Sequence, residues 1–384
     1  MKAIGNLGKV TNKVLTKIVK GPISRYLSIS PNKVVVYNFF GNGYGDSPKY
    51  IVEKLLQSDR DLDIVWIVSD LSTKMPKGVR KVKYGSFQSM YELATAKVII
   101  GNVKNFSKPK KKQGQFYLQT WHGGIALKKI EKDALPLLSN DYVRASMDDS
   151  SMIDLLISNS KFFTKIFRNA FWYDGRIAEV GLPRSDIFFE DPVPYGKKIR
   201  EYFGIDANTK LVLYAPTFRD NGDTSSYNVD FNKLVSTLED MCNCDWAIIV
   251  RMHPNARDYA NEIRYTDKVI NGSVSIDTNE LILGSDIILT DYSSVMFDGM
   301  LAKKQVHLYT PDLEQYIKDR GMYFSIQELP FPLAKNNLEL IKNLCDSKLH
   351  NFIDNYSDFE KKIGLVEDGH ASEKIALILE NELG

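Results

Sequence analysis

Cysteine is scarce in this chain, with only Cys242, Cys244 and Cys345 among 384 residues. Three thiols are too few and too oddly numbered for a disulfide framework, and Cys242-Asn243-Cys244 has no second pair to complete a zinc site. A reducing, cytosolic compartment is therefore expected. Long apolar runs are missing too. Lys13, Lys17 and Lys20 interrupt the N-terminal region, so a signal peptide is not expected there, and no other stretch approaches the roughly 20 residues of a membrane-spanning helix. This points to a soluble or peripheral protein. There is no Walker loop, no Gly-x-Ser-x-Gly elbow, no Gly-x-Gly-x-x-Gly opening a helix and no His/Asp cluster at metal-ligand spacing. Gly41-Asn42-Gly43-Tyr44-Gly45 has the wrong spacing for a dinucleotide. Neither a cofactor nor a metal is expected. Acidic residues are absent before Asp46, whereas Lys2, Lys9, Lys13, Lys17, Lys20, Arg25 and Lys33 all precede it.

The chain as a whole is nearly neutral, with 50 Lys and Arg against 48 Asp and Glu, so those cations form a local asymmetry that points to an anionic partner. On a helical wheel, residues 2–20 place Ile4, Leu7, Val14, Leu15 and Ile18 opposite Lys2, Lys9, Lys13, Lys17 and Lys20. Such a basic amphipathic helix either packs on its own domain or lies in a bilayer interface, where each lysine near anionic headgroups adds about 1 kcal/mol. Nucleic-acid binding is disfavoured, because the basic stretches carry no interleaved aromatics.

Beyond residue 30, short β-rich runs alternate with amphipathic helical stretches, which predicts parallel sheets covered by helices. The first series of strands comprises residues 34–40, 64–68, 98–101, 116–120, 155–158 and 178–180. Gly181-Leu182-Pro183-Arg184 breaks it, and a second series follows at 211–215, 247–251, 287–290 and 306–309. The expected fold is α/β, with two Rossmann-like domains facing a central cleft. The expected organisation is an amphipathic segment over 1–30, an N-terminal Rossmann-like domain over 31–190, a C-terminal Rossmann-like domain over 191–365, and a helix over 366–384 that packs back on the N-terminal domain. Ligands of such sheets bind at the carboxyl ends of the strands.

Four segments lie at such ends. In Gln119-Thr120-Trp121-His122-Gly123-Gly124, glycines allow close approach to a histidine suited to accept a proton from an attacking hydroxyl, and Lys128 follows within two turns. The blander reading is a histidine held by a backbone carbonyl. In Arg251-Met252-His253-Pro254, the arginine and histidine offer donors to a phosphate while Pro254 ends the strand. In Thr290-Asp291-Tyr292-Ser293-Ser294, two hydroxyls and free N–H groups at a helix start form a phosphate cradle, compatible with capping by Asp291 or Ser293. In Tyr214-Ala215-Pro216-Thr217-Phe218-Arg219, Thr217 and Arg219 either reach the same diphosphate or, for the arginine, form an ion pair.

With Tyr44 to Lys49, Trp121-His122-Gly123, Gly181 to Asp186, Tyr214 to Arg219, Arg251 to Pro254, Asp291 to Ser294 and Arg320-Gly321-Met322-Tyr323-Phe324 in this order, the chain resembles the CDP-glycerol glycerophosphotransferase family over nearly its whole length. The resemblance implies an α/β fold of GT-B type, with 31–190 as the acceptor domain and 191–365 as the CDP-alditol-binding donor domain, and glycerol-phosphate transfer from CDP-glycerol to a hydroxyl of a lipid-linked saccharide or growing polymer, with release of CMP, in teichoic acid or capsule synthesis. His122 matches the general base, His253 the histidine that stabilises the donor phosphates, and Ser293 and Ser294 the phosphate-binding hydroxyls, while Arg320 falls in a matching motif. Two positions depart from the family: Gly124 where threonine is usual, and Ser325 where aspartate is frequent.

The implied partners are CDP-glycerol or CDP-ribitol, an undecaprenyl-pyrophosphate-linked saccharide and the cytoplasmic face of the membrane, with no nucleic acid. Lys110, Lys111 and Lys112 then either steer the pyrophosphate-linked lipid or form a solvated loop. By length the chain is closer to the short primase-like members. The rival readings are a ribitol-phosphate transferase, a GT-B glycosyltransferase using a sugar nucleotide, and a non-catalytic membrane scaffold.

Overall fold

The computed structural model describes residues 22–105, 108–219, 225–252, 263–273, 276–346 and 352–384. The predicted helix over 2–20, with Lys9, Lys13 and Lys17, lies outside the described residues, as do His253 and Pro254. The chain forms two compact units: one holds the described residues up to Gly124 together with Glu131–Asp186 and Val366–Gly384, and the other holds Ile125–Ile130 and Ile187–Leu365.

The first unit is built on a parallel sheet of seven strands: β1 (Lys33–Tyr37), β2 (Asp63–Val68), β3 (Val79–Lys83), β4 (Val98–Gly101), β5 (Phe116–Gln119), β6 (Leu155–Ser158) and β7 (Arg176–Glu179). Their order is β3-β2-β1-β4-β5-β6-β7, so the direction of winding reverses between β1 and β4. Val34, Val35 and Val36 on β1 are all buried, as expected of a strand covered on both faces by helices. β1 ends at Tyr37, short of the predicted Phe40, because Phe39 and Phe40 adopt left-handed conformations (φ 40° and 58°) that no strand tolerates.

Helix Ala371–Leu383 belongs to this unit, where Ile375, Leu379 and Leu383 join the core with Ile51, Val52 and Leu55 of helix Asp46–Leu55. The segment Gly181 to Asp186 docks it. Gly181, at φ +88°, lies where a Cβ would approach Glu367 Oε2 to 2.6 Å; Leu182 N donates to the Glu367 carboxylate; and Asp186 accepts from Ala371 N and Ser372 N at the helix start.

The second unit has a parallel sheet of six strands: β8 (Lys210–Tyr214), β9 (Trp246–Val250), β10 (Val269–Asn271), β11 (Ile287–Thr290), β12 (Gln305–Tyr309) and β13 (Leu333–Ala334). Their order is β10-β9-β8-β11-β12-β13, with the reversal between β8 and β11. The strands that sequence pattern did not reveal are β3, β10 and β13, all at sheet edges. There a strand needs only one partner, and β3 reads Val-Arg-Lys-Val-Lys without an apolar run.

Cys242 and Cys244 are bonded to each other rather than free. Asn243 ends helix Phe231–Cys242 in the left-handed region (φ 51°), and that turn brings the two side chains together.

Candidate active site

In the first unit, β5 runs into a tight turn at Trp121, which sits at φ +56°. Its ring is buried 4.8 Å from that of Phe171 and 4.0 Å from that of His122. The half-buried His122 ring also meets Phe39 at 5.3 Å, and its Nδ1 lies 2.9 Å from the main-chain oxygen of Asn102. A carbonyl oxygen only accepts, so Nδ1 carries the proton and Nε2 keeps its lone pair. Burial lowers the pKa of His122 below 6.5, opposed by the Asn102 carbonyl and the Asp46 charge and reinforced by Arg184. The ring is therefore neutral near pH 7, as a general base requires.

Gly123 leaves open space beside the histidine, since a Cβ there would meet nothing within 4 Å. Gly124 is closed in, because a Cβ there would come within 2.5 Å of Asn159 Nδ2. The histidine turn is braced by residues that fall in the matching motifs but carry no assigned role there. Arg184 Nη1 donates to the His122 carbonyl at 3.4 Å, and its Nε lies 3.8 Å from Asp46 Oδ2. Asn102, directly after the last residue of β4, was discernible only as a polar residue at a strand end.

The lysines read as a steering patch are engaged with neighbours. Lys108 is buried and ion-paired with Asp149, Lys110 pairs with Asp148, Lys111 pairs with Asp154, and Lys112 Nζ donates to the Leu27 carbonyl at 2.5 Å. The acidic partners lie on or just after helix Asn140–Ser150, so charges that look unbalanced along the chain are balanced in space.

In the second unit, Arg219 is a strut. Only 5% exposed, it is clamped by Asp291 at 2.8 Å and Asp312 at 2.7 Å, and its guanidinium lies 5.0 Å from the ring centres of both Tyr292 and Tyr316. Nη1 also donates to the Thr217 carbonyl at 2.7 Å. Of the two readings open for Arg219, the ion pair is the one seen, with the carboxylates of Asp291 and Asp312 taking its charge. Asp291 likewise faces inward: it accepts from Thr217 N at 2.8 Å and Tyr292 N at 2.5 Å, and so ties the loop after β8 to the loop after β11 instead of capping a helix.

Helix Val295–Leu301 starts after Ser294, which makes no side-chain cap, while Ser293 Oγ accepts a long bond (3.4 Å) from Val295 N. Both serines are half-buried. Among the described residues, the buried Thr217 hydroxyl has no hydrogen-bond partner. Arg251 continues from β9 with its N–H on the Tyr214 carbonyl and Nη1 on the Gly272 carbonyl at 2.9 Å. Lys128 bridges Met322 in antiparallel register and holds Nζ 5.8 Å from the Tyr316 ring, so it joins the aromatic cluster around Arg219. Arg320 ends helix Leu313–Arg320 immediately before that bridge.

The second unit therefore gathers Thr217, Arg219, Asp291, Tyr292, Asp312, Tyr316 and Lys128 around one buried ion cluster, with Ser293 and Ser294 next to it in sequence. Ser325, the second departure, opens a short 3-10 turn and donates its main-chain N–H to Glu328 Oε2 at 3.1 Å. Among the described residues no three His, Cys, Asp or Glu side chains converge as a metal site requires, and no helix is long and apolar enough to cross a membrane.

Two Rossmann-like units with polar loops at the carboxyl ends of their parallel strands define a transferase of the GT-B-like class. Residues 22–381 match the model of one family, CDP-glycerol:poly(glycerophosphate) glycerophosphotransferase, and the chain belongs to that family. It is 32% identical to the teichoic acid glycerol-phosphate transferase of Staphylococcus aureus, across 91% of this chain and 94% of that protein. It is 30% identical to the teichoic acid poly(glycerol phosphate) polymerase of Staphylococcus epidermidis across 93% of this chain, and spans about half (51%) of that longer protein. The solved structure of the wall teichoic acid polymerase TagF superposes with a TM-score of 0.87 at 28% identity, covering 100% of this chain and 96% of that one. A variant of that polymerase soaked with CDPG superposes at 0.86, with 29% identity and 98% and 97% coverage.

Proposed function

We propose that the chain transfers glycerol phosphate from CDP-glycerol to a hydroxyl of a lipid-linked saccharide or growing polymer in teichoic acid or capsule synthesis, acting peripherally at the cytoplasmic face of the membrane. The observation that carries this reading is the His122 ring, neutral and with Nε2 unprotonated beside the open space of Gly123.

In the proposed reaction, Nε2 of His122 takes the proton from the acceptor hydroxyl as its oxygen attacks the phosphorus that bears glycerol. A new P–O bond forms, the P–O bond to CMP breaks, and CMP leaves with its negative charge met by His253, Arg251 and the Ser293-Ser294 segment. Thr217, whose hydroxyl has no partner among the described residues, and Lys128 and Arg320 complete the donor-binding set. The Arg219 cluster shapes those loops without touching the donor.

The test is CMP release by the purified chain from CDP-glycerol, CDP-ribitol and UDP-sugars with a lipid-linked saccharide acceptor, followed by mass spectrometry of the product. CMP from CDP-glycerol with addition of glycerol phosphate is expected. CMP from CDP-ribitol alone would reassign the donor, UDP release would make the chain a glycosyltransferase, and no turnover with any donor would leave the scaffold reading. The mass of the product also reports whether one unit or many are added.

A further inference from the structure

The two aromatic rings that flank His122, Phe39 and Trp121, both belong to residues in the left-handed region (φ 40° and 56°). That conformation is unfavourable for a non-glycine residue and persists only where its surroundings impose it. In each case the main-chain N–H of the strained residue is taken by the side-chain oxygen of a fully buried amide. Asn102 Oδ1 accepts from Phe39 N at 2.9 Å, and Gln119 Oε1 accepts from Trp121 N at 2.9 Å.

The orientation of both amides is dictated by their other partners. Asn102 Nδ2 donates to Asn38 Oδ1 at 2.7 Å, and Asn38 Nδ2 donates to the Asn42 carbonyl at 3.0 Å, which closes the strained turn on itself. Gln119 Nε2 donates to the Val103 carbonyl at 3.2 Å and to the Tyr117 hydroxyl at 2.8 Å, so it anchors to the loop after β4 that also contains Asn102. The carbonyl that fixes the His122 tautomer belongs to Asn102 itself.

We propose that Asn102 and Gln119 are positioning residues for the His122 base: their buried amides hold the two strained aromatic turns that clamp the imidazole and keep its Nδ1 proton on the Asn102 carbonyl. This rests on the reading of His122 as the base. Neither amide touches substrate; both act through the ring.

The test compares Asn102→Leu and Gln119→Met, which keep the volume and lose the bonds, with the parent chain. CMP release from CDP-glycerol is followed alongside the 15N spectrum of the His122 imidazole, assigned by its loss in His122→Gln. The expected result is that Asn102→Leu and Gln119→Met lower kcat about 10- to 100-fold with KM for CDP-glycerol within about threefold, the scale of a misplaced catalytic group. Their imidazole signals should move from a single Nδ1-H tautomer to a mixture. A folded Asn102→Leu with an unmixed tautomer would overturn the proposal, as would a mixed tautomer with kcat within about twofold of the parent. If Asn102→Leu does not fold, Asn38→Ala, which removes only the outer partner, is judged by the same two readings. If His122→Gln still releases CMP, the base assignment falls, while the tautomer spectra still decide whether the amides orient the ring.

Discussion

Arg219→Met distinguishes a strut from a ligand in the second unit. Methionine retains much of the volume between Tyr227, Tyr292 and Tyr316 but removes the charge facing Asp291 and Asp312, whose side chains are 4% and 19% exposed. Removing one partner of a buried ion cluster leaves uncompensated carboxylates and costs roughly 3–5 kcal/mol. A domain of this size loses about 2–4 °C of Tm per kcal/mol, so the transition of this unit should fall by about 6–20 °C. Scanning calorimetry of the full chain measures it, and CMP release below the transition reports function separately. Adding Asp291→Asn to Arg219→Met should restore part of the loss, because the two sites share one interaction. An unchanged Tm together with a KM for CDP-glycerol raised about tenfold or more would refute the reasoning and return Arg219 to the donor's phosphates.

Four further outcomes are expected. His122→Ala should cut kcat by about 100-fold or more with the fold intact. Because burial lowers the pKa of His122, the parent's kcat/KM should hold as pH falls through 6.5 and decline only below it, as the base takes up a proton; a decline already under way above 6.5 in a pH–rate profile would contradict this. His307, fully buried on β12, has its pKa lowered by burial to about 4. Below 6.5 the unfolded chain binds a proton that the folded chain refuses until about pH 4, so stability drains away across that window by about 3 kcal/mol; denaturant melts of His307→Leu between pH 7 and 4 should show a correspondingly shallower decline. Asp186→Ala, which strips the acceptor from Ala371 N and Ser372 N, should cost about 1 kcal/mol in denaturant melts.

The ten strands anticipated from apolar runs all exist, nearly all within a residue or two at each end, because a strand buried on both faces needs an unbroken apolar stretch that is visible along the chain. The main exception ends early at Tyr37, where two phenylalanines in left-handed conformations look in sequence like a continuing strand. The polar loops after β5, β8, β9 and β11 were legible for the same reason, since small, hydroxyl and basic residues directly after such runs fall at strand ends. Roles within those loops were much less so. Arg219 and Asp291 look like phosphate ligands until each is seen to neutralise the other, and Lys110 and Lys111 look like a free cationic patch until Asp148 and Asp154 come beside them. These partners lie 38 to 72 residues apart, beyond the reach of any local pattern.

Sequence alone determined the class of fold and the histidine to watch, through hydrophobic periodicity and the residues that interrupt it. Only tertiary structure decided the state of that histidine. Its tautomer depends on the carbonyl of Asn102, 20 residues away, and its neutrality on being buried among Phe39, Trp121 and the sheet end. Hydrogen bonding and desolvation act over a few ångströms of space, and only the folded chain sets which atoms occupy that space.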